Sequence, residues 1–253
     1  MENNVSQPDG SWINDFSNPW KGTSVFGAIS LAEAVKHCGG ILEKRDLERM
    51  RLRLGKAARF IASFIKFGRP DVKFDGPNIN YLAAAAHALA LSAEVLDDPK
   101  LMAEARKFGR GSVKYITPKD RLVFGETQPT GKTSPNGCKG VDLGYNVEET
   151  LPSLVGYALA AKDSEVLEAA EESMKAHIEF MLPDGAWDNS WGTRNFKWTY
   201  WGSRTSDGCQ AGFAALAGRD PRLYTAALRN LELLESCTEN GLLCGGPHFR
   251  SGG

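Results

Sequence analysis

All tryptophans of the 253-residue chain lie in two stretches that share a sequence motif. The first is PDGSWINDFSNPWKGTS, residues 8–24, and the second is PDGAWDNSWGTRNFKWTYWGSRTSDG, residues 183–208. Indole has an apolar face with a polar edge, and a sugar has a C–H face with hydroxyl groups, so these loops suit a glycan. The candidate sugar-contacting residues are Trp12, Trp20, Trp187, Asn189, Trp191, Trp198 and Trp201. The alternative is packing between helices, and we expect about half of the indoles to face solvent.

Carboxylates near these loops could support glycoside hydrolysis, which needs one carboxyl group on each side of the scissile bond. The candidates are Glu148, Glu149, Asp184, Asp188 and Asp207. Glu149 and Asp207 also suit helix caps, and Asp184 suits a Pro-Asp-Gly turn. The acidic pattern therefore leaves hydrolysis as an alternative.

Other motifs point away from metal and nucleotide chemistry. The five cysteines are unclustered and have no CxxC spacing, which indicates isolated thiols, and no metal or cofactor site is expected. The glycine-rich run 125–133 has five residues between its glycines where a phosphate-binding loop has four, so we interpret it as a surface lid. His37, His87 and His177 fit structural roles, whereas His248 follows Gly-Gly-Pro in a loop and is available for chemistry.

The balance of 30 basic and 31 acidic residues predicts neither nucleic acid nor an anionic membrane as a partner. We see no apolar run near the length of a membrane span, and the beginning MENNVSQPDG lacks the features of a signal peptide. The chain as written is expected to be cytoplasmic, or periplasmic or secreted if a signal has been removed. The sequence does not set the oligomeric state.

Helical periodicity dominates the rest of the chain. Four units repeat one plan, in which an aromatic polar loop leads to an apolar inner helix, a short turn and a charged outer helix. Inner helices are predicted to begin near residues 23, 79, 147 and 205, a repeat of about 60 residues. Asp46 is the predicted N-cap of the first outer helix, and Asn146 with Glu149 is a predicted capping pair. Arg121–Phe124 is the one short strand expected, so the fold class is all-α.

Buried inner helices within a ring of amphipathic outer helices describe an (α/α) toroid, and we expect one such domain over residues 1–253. The chain resembles the toroid enzymes that act on polysaccharides: the heparinase II/III-like and chondroitin-lyase-like proteins and the six-hairpin glycosidases. The resemblance rests on the repeat, on Asp-Gly-Ser-Trp and Asp-Gly-Ala-Trp, and on NINY, GYNVEE and KWTYWGSRTSDG before inner helices. Members usually have more hairpins, so an incomplete toroid of about four hairpins is expected.

The resemblance implies a lyase that cleaves a uronic-acid-containing glycan by β-elimination. Donors neutralise the sugar carboxylate, a base removes the adjacent proton, and an acid protonates the leaving oxygen. Asn80, Asn146, Asn189 and Arg204 are the candidate donors, with Glu148 and Asp207 as further sugar contacts. Tyr81, Tyr145, Tyr200 and His248 are the candidates for proton transfer. The alternatives are a hydrolase on the same scaffold and a non-catalytic glycan-binding toroid.

Overall fold

The computed structural model describes residues 5–14, 16–17, 19–64, 78–125, 135–137, 139–188 and 210–243. The chain divides into two compact units, each formed from separated segments. Unit 1 comprises Met1–Pro77, Tyr81–Ser112 and Gly156–Ser164, and unit 2 comprises Asn78–Asn80, Val113–Val155 and Glu165–Gly253. The predicted single domain over residues 1–253 stays a prediction.

Helices form almost all of the regular structure in the described residues, as the periodicity predicts. They are α1 Ser24–Cys38, α2 Lys44–Phe64, α3 Ile79–Leu96, α4 Pro99–Val113, α5 Leu143–Tyr145, α6 Leu151–Ala161, α7 Ser164–His177, α8 Gln210–Ala215 and α9 Pro221–Ser236. Short 3₁₀ turns follow α1 and α7 at Gly39–Ile41 and Ile178–Phe180, and a π-helical turn, Asn146–Thr150, joins α5 to α6. The strands β1 Thr238–Glu239 and β2 Leu242–Leu243 pair antiparallel.

The inner and outer helices differ in burial as expected. Leu82 to Ala86 and Ala88 to Ala93 in α3 are all buried, so this helix is enclosed on nearly every side. The outer helix α9 instead buries one stripe, which includes Leu223, Ala226 and Leu234, and exposes the residues between. The inner helix α3 is therefore built from small apolar residues on nearly every side, and the outer helix α9 has one apolar face and one exposed face.

Within the described residues, α3 is long and apolar enough to cross a bilayer by length and composition alone. The expectation that no run approaches that length is therefore wrong for Ile79–Leu96. However, 72% of this segment is buried within the protein. The core helix of a globular protein meets the same length criterion, so the observation is weak evidence for a membrane span.

Several local predictions need correction. The first outer helix begins at Lys44, so Asp46 lies in its first turn and is not its N-cap. At the third inner helix Asp142 is the N-cap, because its carboxylate accepts the backbone N–H of Tyr145, and Asn146 lies four residues further on. The expected strand at Arg121–Phe124 is reduced to a single bridge between Val123 and Ile116.

Candidate functional site

Each Pro-Asp-Gly-small-Trp motif forms a tight turn closed by one antiparallel bridge. In unit 1 the bridge joins Ser6 to Trp12, and Gly10 has a φ of 96° at the apex. The Asp9 carboxylate accepts the backbone N–H of Ser11 at 3.0 Å. The guanidinium of Arg53 in α2 donates to the carbonyl oxygens of Gly10 and Ser11, both at 2.9 Å. These bonds fix the loop that carries the first tryptophan.

The second turn, in unit 2, has the same internal geometry. Its bridge joins Met181 to Trp187, Gly185 has a φ of 90°, and the Asp184 carboxylate accepts the N–H of Ala186 at 3.0 Å. The side-chain amide of Asn230 in α9 donates to the carbonyl oxygen of Gly185 at 3.0 Å. Asp184 therefore has the turn-forming role that the motif indicates.

The three described tryptophans have different environments. Trp12 is half-buried with the guanidinium carbon of Arg53 3.9 Å from its ring centroid, and Trp20 is 39% exposed. Trp187 is 2% exposed and stacks on Phe213 with ring centroids 5.2 Å apart. Trp187 thus packs inside unit 2 and presents no open face for a sugar here, whereas Trp20 does present one.

In unit 1 the structure brings two predicted site residues together. The indole N–H of Trp20 donates to the hydroxyl oxygen of Tyr81 at 2.9 Å, and the rings meet edge to face with centroids 5.6 Å apart. Phe64 and Phe26 extend the group, with ring centroids 5.9 Å from Trp20 and 5.8 Å from Tyr81 respectively. The accessible indole of Trp20 can contact the C–H face of a sugar ring, and the neighbouring hydroxyl of Tyr81 can bond to the sugar's hydroxyl groups.

In unit 2 a π-helical turn positions the other candidates. The N–H of Leu151 bonds to the carbonyl oxygen of Asn146, five residues back. Pro152 has no N–H for the carbonyl of Glu148, and its ring would clash with that carbonyl in an ordinary α-helix. The wider turn accommodates the proline. Single π-turns are frequent at functional sites because they redirect side chains out of the regular helical register.

Asn146 is buried within this turn and both N–H groups of its amide are used. Nδ2 donates to the carbonyl oxygen of Val123 at 2.9 Å and lies 3.1 Å from Nε2 of His177. Nδ1 of His177 lies 2.7 Å from the carbonyl oxygen of Ser173, which can only accept, so Nδ1 carries the proton and Nε2 accepts from Asn146. Oδ1 of Asn146 is buried and has no partner in the described residues.

Burial lowers the pKa of His177 to about 4 and so keeps the imidazole neutral near pH 7. The neutral tautomer fixes which way the Asn146 amide points. The sequence indicated a structural role for His177, but no sequence signal links two residues 31 positions apart. The structure shows that this role is to orient a candidate site residue.

Asn80 is 2% exposed in the first turn of α3, and its Nδ2 donates to a carboxylate oxygen of Glu149 at 2.5 Å. Glu149 therefore binds Asn80 and does not form the capping pair that was predicted. Glu148 is half-buried and Tyr145 is 8% exposed in the same helical run. Of the two candidate amides in unit 2, Asn146 thus has its N–H groups used by neutral protein acceptors, and Asn80 donates to a carboxylate.

The remaining candidates lie outside the described residues. They are Asn189, Trp191, Trp198, Tyr200, Trp201, Arg204, Asp207 and His248, together with most of the run 125–133 that was interpreted as a lid. Their roles, and the convergence of all candidates on one basin, stay predictions. No group of three or more His, Cys, Asp or Glu residues that could hold a metal ion occurs in the described part of the chain.

Comparison with a solved structure confirms the fold class. Cellobiose 2-epimerase from Bacillus thermoamylovorans B4167 matches with a TM-score of 0.61 over 96% of this chain and 69% of that one, at 11% identity. At that identity the likeness shows the fold alone. It establishes an all-α protein of the (α/α)-toroid class.

The family follows from the sequence. The model of the ulvan lyase N-terminal domain matches residues 1–253, so the chain belongs to that family. It is also 46% identical over 255 residues to a broad-specificity ulvan lyase of Formosa agariphila, a match that spans all of this chain and 39% of the relative's length. The predicted resemblance to toroid enzymes acting on polysaccharides is confirmed, and the heparinase-like specifics stay a prediction.

Proposed function

We propose that the protein is a polysaccharide lyase that cleaves a uronic-acid-containing glycan of the ulvan type by β-elimination. The observation that carries the proposal is the 46% identity with a broad-specificity ulvan lyase along the whole chain. The matched region covers both Trp-bearing turns and the helix entrances at which the candidate site residues lie. The acidic polysaccharide substrate is part of the same proposal.

Elimination next to a carboxylate requires that the developing negative charge be neutralised. Amide N–H groups do this without titrating, and they act most strongly where water is excluded. Asn80 is suited to the task because its buried amide already donates to a carboxylate, that of Glu149. In the proposed reaction the Asn80 amide donates a hydrogen bond to the uronate carboxylate. Arg204 and Asn189 are the further proposed donors to the same group.

Asn146 has a different proposed role from the one the resemblance implies. Its two N–H groups are bonded to Val123 and His177, so only its carbonyl oxygen is available for a further bond. A carbonyl oxygen repels a carboxylate and accepts from a hydroxyl. We therefore assign Asn146 the role of accepting a hydrogen bond from a donor group at the site, and not the role of neutralising the uronate.

Proton transfer falls to a phenol or an imidazole near the sugar. Tyr81, Tyr145, Tyr200 and His248 remain the candidates. Among the described candidates, the hydroxyl oxygen of Tyr81 accepts the indole N–H of the accessible Trp20. This bond gives the Tyr81 hydroxyl a defined orientation beside an indole on which a sugar ring can stack. Tyr145 is nearly buried and directly precedes the π-turn.

Incubation with ulvan tests the proposal. Elimination leaves a double bond conjugated to the carboxylate, so absorbance in the ultraviolet should rise with time. Asn80→Ala should lower kcat by about 100-fold if the amide stabilises the transition state. Asn14→Ala, at an exposed asparagine of the first Trp loop, is the matched control and should leave the rate unchanged.

Two outcomes would count against elimination. Release of reducing ends without an absorbance increase would indicate hydrolysis, with a carboxylate pair drawn from the acidic candidates. Binding of ulvan without turnover would indicate a glycan-binding protein.

A further inference from the structure

A cavity of about 310 Å³ lies in unit 2 beside the second Trp-bearing turn. One wall is formed by Ile178 and by Met181, the residue whose bridge to Trp187 closes that turn. The other lining residues belong to the N-terminal half of α9. The size is within the range of small-ligand sites in proteins.

The α9 wall has a regular pattern. Arg222, Thr225, Ala226 and Arg229 are spaced at i, i+3, i+4 and i+7, which places them on one face of the helix. Pro221 completes the lining. The apolar side chains of the lining, from proline, alanine, isoleucine and methionine, together form what we call the apolar floor. The two arginines of the α9 face are separated by about two helical turns, roughly 10 Å.

The two arginines differ in charge balance. Arg222 donates through Nε and Nη2 to the Asp220 carboxylate, at 3.1 and 2.8 Å, so its charge is shared with a protein acid and its side chain is held in place. Lys175 also lies 3.7 Å from Asp220. Arg229 is exposed and has no ion pair within the described residues. Among the arginines of the lining, Arg229 is therefore the one whose guanidinium is not paired with a carboxylate of the described residues.

We propose that this cavity is an accessory subsite for a sugar residue bearing an anionic group, either a carboxylate or a sulfate ester. The apolar floor accepts the C–H face of the ring, Arg229 pairs with the anion, and Arg222 offers its remaining N–H groups. A small inorganic anion would use the arginines and leave the floor unused. The identity of the glycan rests on the proposed function, whereas the binding itself does not require catalysis.

Titration calorimetry at low salt would measure the affinity of the full chain for three kinds of oligosaccharide. These are an unsulfated oligouronate, a sulfated oligogalactan without uronate, and a neutral cello-oligosaccharide. Arg229→Gln should weaken binding of the anionic ligand about tenfold. Arg51→Gln removes an exposed arginine of α2 with no ion pair in the described residues and should leave the affinity unchanged.

Thr225→Trp is a second variant, which fills the cavity and keeps both arginines, and it should abolish the accessory binding that Arg229→Gln weakens. Loss confined to the oligouronate identifies a carboxylate, and loss confined to the sulfated ligand identifies a sulfate ester. Equal affinity of all variants, equal binding of the neutral ligand, or no binding of either anionic ligand would overturn the proposal. Arg229-dependent binding without any elimination product would overturn the proposed function and leave this inference standing.

Discussion

The turns at residues 8–12 and 183–187 are built alike and end differently. In both, a glycine with positive φ sits against a carbonyl oxygen of an outer helix. A β-carbon would lie 2.5 Å from that of Lys56 at Gly10, and 2.2 Å from that of Arg229 at Gly185. Yet Trp12 is half-buried against a guanidinium, and Trp187 is buried against Phe213. The motif sets the backbone, and the neighbouring helices determine whether the indole is available to a ligand.

Removal of the indole should give the largest difference in stability loss between the two turns. Trp187→Ala removes a fully buried side chain and should lower the free energy of unfolding by about 3–5 kcal/mol. Trp12→Ala should cost about 1–2 kcal/mol, because that ring is half-buried and has a cation–π contact to lose. Urea titration of both variants measures the difference. Equal losses would mean that the burial of the two rings is not what distinguishes the turns.

Substitution of the apex glycines should, by contrast, affect both turns alike. Gly10→Ala and Gly185→Ala combine positive-φ strain with a clash against helix backbone, and each should cost about 2–4 kcal/mol. Gly137→Ala is the matched control, since Gly137 has a φ of 79° and nothing within 4 Å of the added carbon. Its cost should be about 1 kcal/mol, the strain alone. A control as destabilised as Gly185→Ala in thermal unfolding would remove the packing explanation.

Each unit also contains one histidine that burial keeps neutral. Burial lowers the pKa of His87 in unit 1 and of His177 in unit 2 to about 4, from 6.5. The unfolded chain takes up these protons first as pH falls, so stability decreases below about pH 6.5. Between pH 7 and about pH 5 the loss should be about 2 kcal/mol per histidine.

His177→Gln should therefore flatten the pH dependence of the free energy of unfolding by about half. An unchanged profile would show that His177 is not buried neutral. His87→Gln is the matched substitution in unit 1 and should flatten the profile by a similar amount.

Substitution of the aspartates should give the smallest difference in stability loss between the two turns. Asp9 pairs with Lys21 at 2.6 Å, and hydrogen bonds from Lys21 and Ser11 lower its pKa to about 2. Asp9→Asn keeps the turn acceptor and removes an exposed ion pair, so it should cost at most about 0.5 kcal/mol at low salt. Asp184→Asn should cost almost nothing. A larger loss at Asp184, measured in the same urea assay, would reverse the comparison.

Much of the architecture was predictable from local pattern. The inner and outer helices follow from periodicity, and the Asp98-Pro99 and Asp220-Pro221 steps mark helix starts that the structure confirms. The short π-turn was not predicted, although Pro152 is its sequence signal. Cap assignments failed at Asn146 because a nearer acceptor, Asp142, precedes it.

The candidate site was less predictable because its contacts are long-range. Residue types identified Asn80, Asn146 and Trp20 as candidates, but nothing local indicates that Asn80 binds Glu149 69 positions away or that Trp20 bonds to Tyr81. Amide orientation depends on such partners. The sequence therefore proposes which residues act, and tertiary contacts determine what each can donate or accept.

Digestion of ulvan in heavy-oxygen water, followed by mass spectrometry of the fragments, distinguishes cleavage by elimination from hydrolysis. Elimination breaks the bond to the leaving oxygen without adding water, so we expect unsaturated fragments that incorporate no solvent oxygen during cleavage. Saturated fragments that carry one heavy oxygen at each new reducing end would contradict it.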